Sequence, residues 1–127
     1  MATEKKAPEE QEAVKAEATE QVEEKTEDGK SVYTFKKPIT YNNRTYEKVT
    51  YDLDGLTGQD SMDVEEELVR LRKGIVIEGS LNTDYIIRIF CKACEEPIGA
   101  DAFRIMSLAD YNRIKTLTRN FLMKSGR

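Results

Sequence analysis

Cys91 and Cys94 are the residues of this chain whose type and spacing come nearest to a chemical motif. Two thiols in a Cys-x-x-Cys arrangement can bind zinc or exchange disulfides. A closed zinc site takes four Cys or His ligands, and the chain has 2 cysteines and no histidine. A redox pair sits at an exposed helix start after a strand, whereas this pair lies late in an apolar run. It reads as two small core residues one turn apart, and a metal shared between two copies is the remaining metallic reading. With no histidine there is no general base tuned near neutral pH and no Cys-His or Ser-His nucleophile pair.

The other chemical candidates are weaker. Asp54-Gly55-Leu56-Thr57-Gly58 is too short for a phosphate loop, lacks a lysine, and reads as a strand-to-helix turn. Asp60, Asp63 and Glu65 to Glu67 read as a charged first turn and a solvated helix face rather than a metal cluster. Arg113, Lys115, Arg119, Lys124 and Arg127 gather near the last helix, a weak patch in a folded part of near-neutral charge. The chain is therefore expected not to be an enzyme, with no catalytic residue, metal or cofactor assigned.

The elements that carry these residues are readable from pattern. Val32 to Phe35 reads as a strand stopped near Pro38. Ile39-Thr40-Tyr41 and Arg44-Thr45-Tyr46 flank Asn42-Asn43, a pair that tolerates the positive φ of a two-residue primed turn. Val49, Tyr51 and Leu53 alternate with polar residues, so one face of that strand is apolar. Thr57 with Asp60 marks a helix start, Val64, Leu68 and Leu71 form its stripe, and Gly74 is its expected stop. Met62 and Val69 lie elsewhere on that wheel.

Ile75-Val76-Ile77 reads as a short edge strand or as extended chain. A second helix is expected to start at Ser80 or Asn82 and end before Pro97, with apolar residues from Tyr85 to Cys94 spread over roughly 240°. So wide an arc needs covering on more than one side. Gly99 to Met106 is expected to hold a short helical turn with Phe103. Ser107 and Asp110 mark a last helix, with Leu108, Tyr111, Ile114, Leu117, Phe121 and Leu122 at helical spacing.

Charge divides the chain. Residues 1–30 hold ten acidic residues against five lysines, and the remainder holds 14 acidic against 15 basic. That first segment has no aromatic residue and only Val14 and Val22 as branched aliphatics, too little apolar surface to offset chain entropy. Residues 1–30 are expected to be a disordered acidic tail and residues 31–127 a single α+β domain. The domain is expected to be a small antiparallel sheet, a hairpin or meander, packed against three to four helices. No leader-like segment and no apolar run of membrane-spanning length is present in the sequence, so a cytosolic protein with reduced cysteines is expected.

Four landmarks carry a resemblance. They are Phe35-Lys-Lys-Pro-Ile39, Tyr41-Asn-Asn-Arg-Thr-Tyr46, Leu56-Thr-Gly-Gln-Asp60, and Asp110-Tyr-Asn-Arg-Ile114 through Asn120-Phe-Leu122. In order and spacing, the stretch from Tyr33 to Leu122 resembles the tail assembly chaperones of Mu-like and P2-like tailed bacteriophages. None of the four is a catalytic signature. The resemblance implies a protein of the host cytoplasm that keeps the tape-measure protein soluble during tail assembly and is absent from the mature virion. It also allows contact with the tail tube protein, self-association, and an extended frameshift product. The long acidic tail and the thiol pair depart from the family's usual pattern.

A holdase needs apolar surface to offer, and the expected contact residues are Ile75, Ile77, Ile86, Ile87, Phe90 and Cys94. A permanent tail adaptor or terminator is the first alternative. A small nucleic-acid-binding regulator using the last helix is the second.

Overall fold

The computed structural model describes residues 24–26 and 28–125. Most of the segment expected to be disordered, residues 1–23 and Glu27, lies outside the described residues. The rest of it carries a two-residue strand, β1 (Glu24–Lys25), paired antiparallel with the start of the next strand. Ordered structure thus begins before residue 31.

The architecture is α+β. β2 (Ser31–Tyr41) and β3 (Arg44–Tyr51) form a hairpin, and the sheet order is β1-β2-β3. Three helices follow: α1 (Gly58–Arg70), α2 (Thr83–Ala93) and α3 (Leu108–Ser125). Single turns of 3-10 helix at Gly79–Leu81 and Ala100–Arg104 lie between them. The hairpin closes through Asn42 and Asn43 at φ 51° and 64°, the primed turn whose twist matches paired strands.

β2 does not stop at Pro38. Its register jumps from Thr34↔Lys48 to Ile39↔Tyr46, which leaves residues 35–38 opposite Glu47 alone. A proline, which has no N–H to give a ladder, fits that bulge. The freed backbone donors of Lys36 and Lys37 reach the carboxylate of Asp110 on α3, at 2.8 and 3.1 Å.

One face of the sheet carries Tyr33, Phe35, Ile39, Tyr46, Val49 and Tyr51, all buried. The helices cover it. Phe90 of α2 is fully buried, 5.0 Å from the Tyr51 ring and 6.2 Å from Phe103, which in turn meets Tyr111 edge-on. Burying a side chain of that size contributes about 1.5–3 kcal/mol. The far edge of β3 is covered by the chain leaving α2. Asp52 N–H donates to Ala93 O, Glu95 N–H to Thr50 O, and Thr50 N–H to the Glu96 carboxylate.

α1 starts as its sequence indicates, with the Asp60 carboxylate accepting from the Thr57 N–H at 2.8 Å. Its stripe is narrower than expected: Val64 and Leu68 are buried, but Leu71 is exposed. Its end is also two residues earlier than the expected stop at Gly74. Arg72 takes the left-handed conformation at φ 59°, with Lys73 N–H donating to Leu68 O and Arg72 N–H to Val69 O. Those two bonds form a Schellman motif with arginine where glycine is usual.

The face of α1 toward α2 is held by charge. Glu67 of α1 contacts Arg88 of α2 at 2.5 Å and Asp63 contacts Lys92 at 3.2 Å, while Arg88 also pairs with Asp84 within α2 at 3.3 Å. Tyr85 adds a 2.6 Å hydrogen bond with Ser61. α2 itself begins with the Asn82 side chain accepting from the Tyr85 N–H. On α3, Ile114 is fully buried and Tyr111, Leu117, Phe121 and Leu122 are half-buried, while Leu108 is exposed. Among the described residues, no helix is long and apolar enough to cross a membrane.

Candidate functional site: an apolar face beside the first helix

The structure does not bring the six expected contact residues together. Ile86 and Phe90, at 3% and 0% exposed, belong to the interior and offer no surface. The reason is that the wide apolar arc of α2 is covered on several sides, by β3 through Tyr51, by Phe103 and by α1. Ile87 is half-buried in a cleft of about 400 Å³ whose walls include Lys73, Arg88, Phe103, Arg104 and Tyr111. Cys94 is half-buried and bridges to Tyr51 at the edge of the sheet.

Ile75 and Ile77 are different, at 80% and 95% exposed. They form no strand. They belong to the connection between α1 and the turn at Gly79, and among the described residues no hydrogen bond involves their backbone. Val76 between them is half-buried against the core. Beside this connection lies a second cleft of about 380 Å³, lined by Glu65, Glu66, Val69, Arg70, Ile75 and Val76. Met62, two turns before Val69, is exposed on the same helix, as is Leu71 at its end. The apolar face therefore runs from Met62 through Val69 to Ile75 and Ile77, and sequence pattern pointed to only the last two. The signal for the others was their position off the buried stripe of α1: apolar residues that the core has no room for.

The carboxylates of α1 are not a metal cluster. Asp60 caps the helix, Asp63 pairs with Gln59 and Lys92, and Glu67 pairs with Arg88. The Gln59 amide first, then Lys92, hold the Asp63 carboxyl below the usual carboxylate range. Among the described residues, no group of three or more His, Cys, Asp or Glu is placed to hold a metal ion.

The thiols are unsuited to nucleophilic work. Burial pushes Cys91 up to about 12 and Cys94 higher still, the opposite of the depressed values of reactive cysteines. The basic patch of the last helix is also smaller than its sequence suggests. Arg113 is buried and Lys115 lies over the Tyr111 ring at 4.9 Å, while Arg127 lies outside the described residues.

Among the described residues, the other charged group in the interior is Asp110, fully buried at the start of α3. It accepts from the Tyr33 hydroxyl (2.6 Å), the Ser107 hydroxyl (2.7 Å) and the Lys36 and Lys37 N–H groups. Burial opposes its ionisation, but the bonds from Tyr33, Lys36, Ser107 and Lys37 outweigh that, and the carboxyl lies below the usual range. This buried anion fastens the β2 bulge to α3. It also joins the first and last of the four sequence landmarks, so those two landmarks are parts of one structural clamp.

No family model, no curated protein and no solved structure matches the chain. The resemblance to tail assembly chaperones rests on the four landmarks alone.

Proposed function

We propose that this protein works by offering apolar surface to another protein, as a tail assembly chaperone that keeps the tape-measure protein soluble. The observation that supports this reading is the exposure of Ile75 and Ile77 at 80% and 95% beside the Val69 cleft. Aliphatic side chains so exposed and so grouped mark interaction surfaces. An amphipathic helix of the client, laid along α1 with its apolar residues over Val69 and Ile75, would cover them. The choice of client comes from the family resemblance, and the choice of surface from the geometry.

Co-expression with the tape-measure protein tests both. Val69 and Met62 are exposed, so Val69→Asp and Met62→Asp leave the core untouched and are expected to keep the wild-type melting temperature. The client is expected to move to the insoluble fraction with either variant and stay soluble with wild type. A client that stays equally soluble with the double variant would overturn the assignment of this surface. A chain that remains in finished particles at fixed copy number would overturn the chaperone role in favour of a tail adaptor.

A further inference from the structure

The charges of α1 fall into two sets. Those facing α2 are satisfied within the chain: Asp63 by Lys92, Glu67 by Arg88, and Lys73 by Asp84 at 3.7 Å. Those facing away are not, since among the described residues Glu66 and Arg70, which line the Val69 cleft, have no ion-pair partner. The outward set has a direction. Glu65 and Glu66 precede Val69 and Arg70 follows it, with Val69 and Ile75 lining the same cleft and Met62 exposed two turns back.

Such a pattern is complementary to itself when reversed. Laying a second α1 antiparallel across the first, about a two-fold axis at Val69, puts Val69 against its own copy. It brings Glu66 of each chain within reach of Arg70 of the other, since the two share one flank of the helix, and Met62 toward Ile75 and Val76 of the other. A parallel arrangement would set Glu66 against Glu66 and Arg70 against Arg70. The antiparallel one covers the cleft and its exposed aliphatics and neutralises the unpaired charges in a single step, which is the requirement for a closed, isologous contact.

We propose that a second copy of this chain occupies the outer face of α1, antiparallel about Val69, and that this pairing caps the apolar surface until a client displaces it. The capping role rests on the chaperone reading above, while the pairing itself is measured with no client present. The patch is small and lies at the weak, reversible end of interfaces, as exchange with a client requires.

Sedimentation equilibrium of the full chain across a concentration series is expected to show monomer and dimer, with the dimer favoured at low salt. Glu66→Arg alone and Arg70→Glu alone are each expected to weaken dimerisation at least ten-fold, and the double exchange Glu66→Arg/Arg70→Glu to restore it. Val69→Cys is expected to give an oxidised dimer of twice the 14.5 kDa chain mass on a non-reducing gel, whereas Leu108→Cys, exposed at the start of α3, is not. Circular dichroism melts of all five variants are expected to match wild type within a few degrees. A monomer at every concentration, a dimer indifferent to both single charge reversals, or a double exchange that fails to recover would each overturn the pairing. Loss of client solubility in Val69→Asp with no dimer in the wild type would leave the client surface standing and remove the second copy from it.

Discussion

The Tyr33 hydroxyl donates to the Asp110 carboxylate at 2.6 Å across 77 positions of sequence, and this contact fastens the sheet to the last helix. Tyr33 stands just before the β2 bulge and Asp110 three residues into the α3 cap, so one carboxylate ties strand, bulge and helix together. Asp110→Asn keeps the size but loses the charge and turns an amide NH2 toward groups that are themselves donors. Bonds to charged groups are worth about 1.5–3 kcal/mol and a buried donor left unmatched costs about 1–3. A loss of about 2–4 kcal/mol is expected in urea unfolding at neutral pH, with Tyr33→Phe losing about 1 kcal/mol because three donors remain.

The same carboxyl sets a pH dependence. Its folded pKa lies below the value near 4 of an unfolded aspartate, so the folded state holds its proton less tightly. The stabilisation is complete above about pH 4 and is lost as pH falls through the folded value. Urea midpoints of the wild type should therefore drop between about pH 4 and pH 2, and those of Asp110→Asn should drop less over that interval. Parallel pH profiles would show that other groups carry the acid sensitivity.

What the sequence made legible was local. The Asn42-Asn43 turn, the Thr57 and Ser107 helix starts and the short turn around Phe103 all depend on residues within four positions of one another. What it hid was the partner of each long-range feature. Pro38 reads as a strand end because a proline cannot complete a ladder, and nothing nearby reveals that the donors beside it bond Asp110 more than 70 residues away. Likewise, the apolar arc of α2 announces a need for covering without saying which side stays open. The open face proved to belong to α1, where Val69 and Met62 look like strays from a short stripe.

Arg72 holds a left-handed backbone at the end of α1, a conformation that costs an ordinary residue about 1–2 kcal/mol and glycine almost nothing. Its side chain is exposed, so removing it disturbs no packing. Arg72→Gly is expected to raise stability by about 0.5–1 kcal/mol, part of the relief being offset by a more flexible unfolded chain. An unchanged or lower urea midpoint would show that the arginine side chain contributes more than its backbone strain removes.

Gly79 passes against the Tyr85 ring, where an added Cβ would sit 2.7 Å from Cε2. The ring has little freedom to yield, being buried and held by the 2.6 Å bond to Ser61. Gly79→Ala is expected to cost about 1–3 kcal/mol, as overpacking does in other tight sites. Adding Ser61→Ala frees the ring to turn aside, so the double variant should lose less than the sum of the two single losses. Strict additivity in thermal melts would mean that the backbone at Gly79, and not the ring, absorbs the new methyl.

The two thiols give the last prediction, and its sign is opposite to that of Asp110. Burial raises Cys91 to about 12 and Cys94 further, so both stay protonated in the folded chain at pH values where an unfolded cysteine, near 8.5, has ionised. The folded state then binds protons more tightly than the unfolded one. The linked stability is complete below about pH 8.5 and declines as pH rises from there toward the folded values. Since the thiolate is the reacting species, the disulfide reagent DTNB at pH 8 is expected to label the native protein far more slowly than the urea-unfolded protein, which should take up two equivalents. Cys91→Ala/Cys94→Ala should flatten the alkaline decline in stability. Rapid labelling of the native chain would show that one thiol is open to solvent and would return the Cys-x-x-Cys pair to consideration as a reactive site.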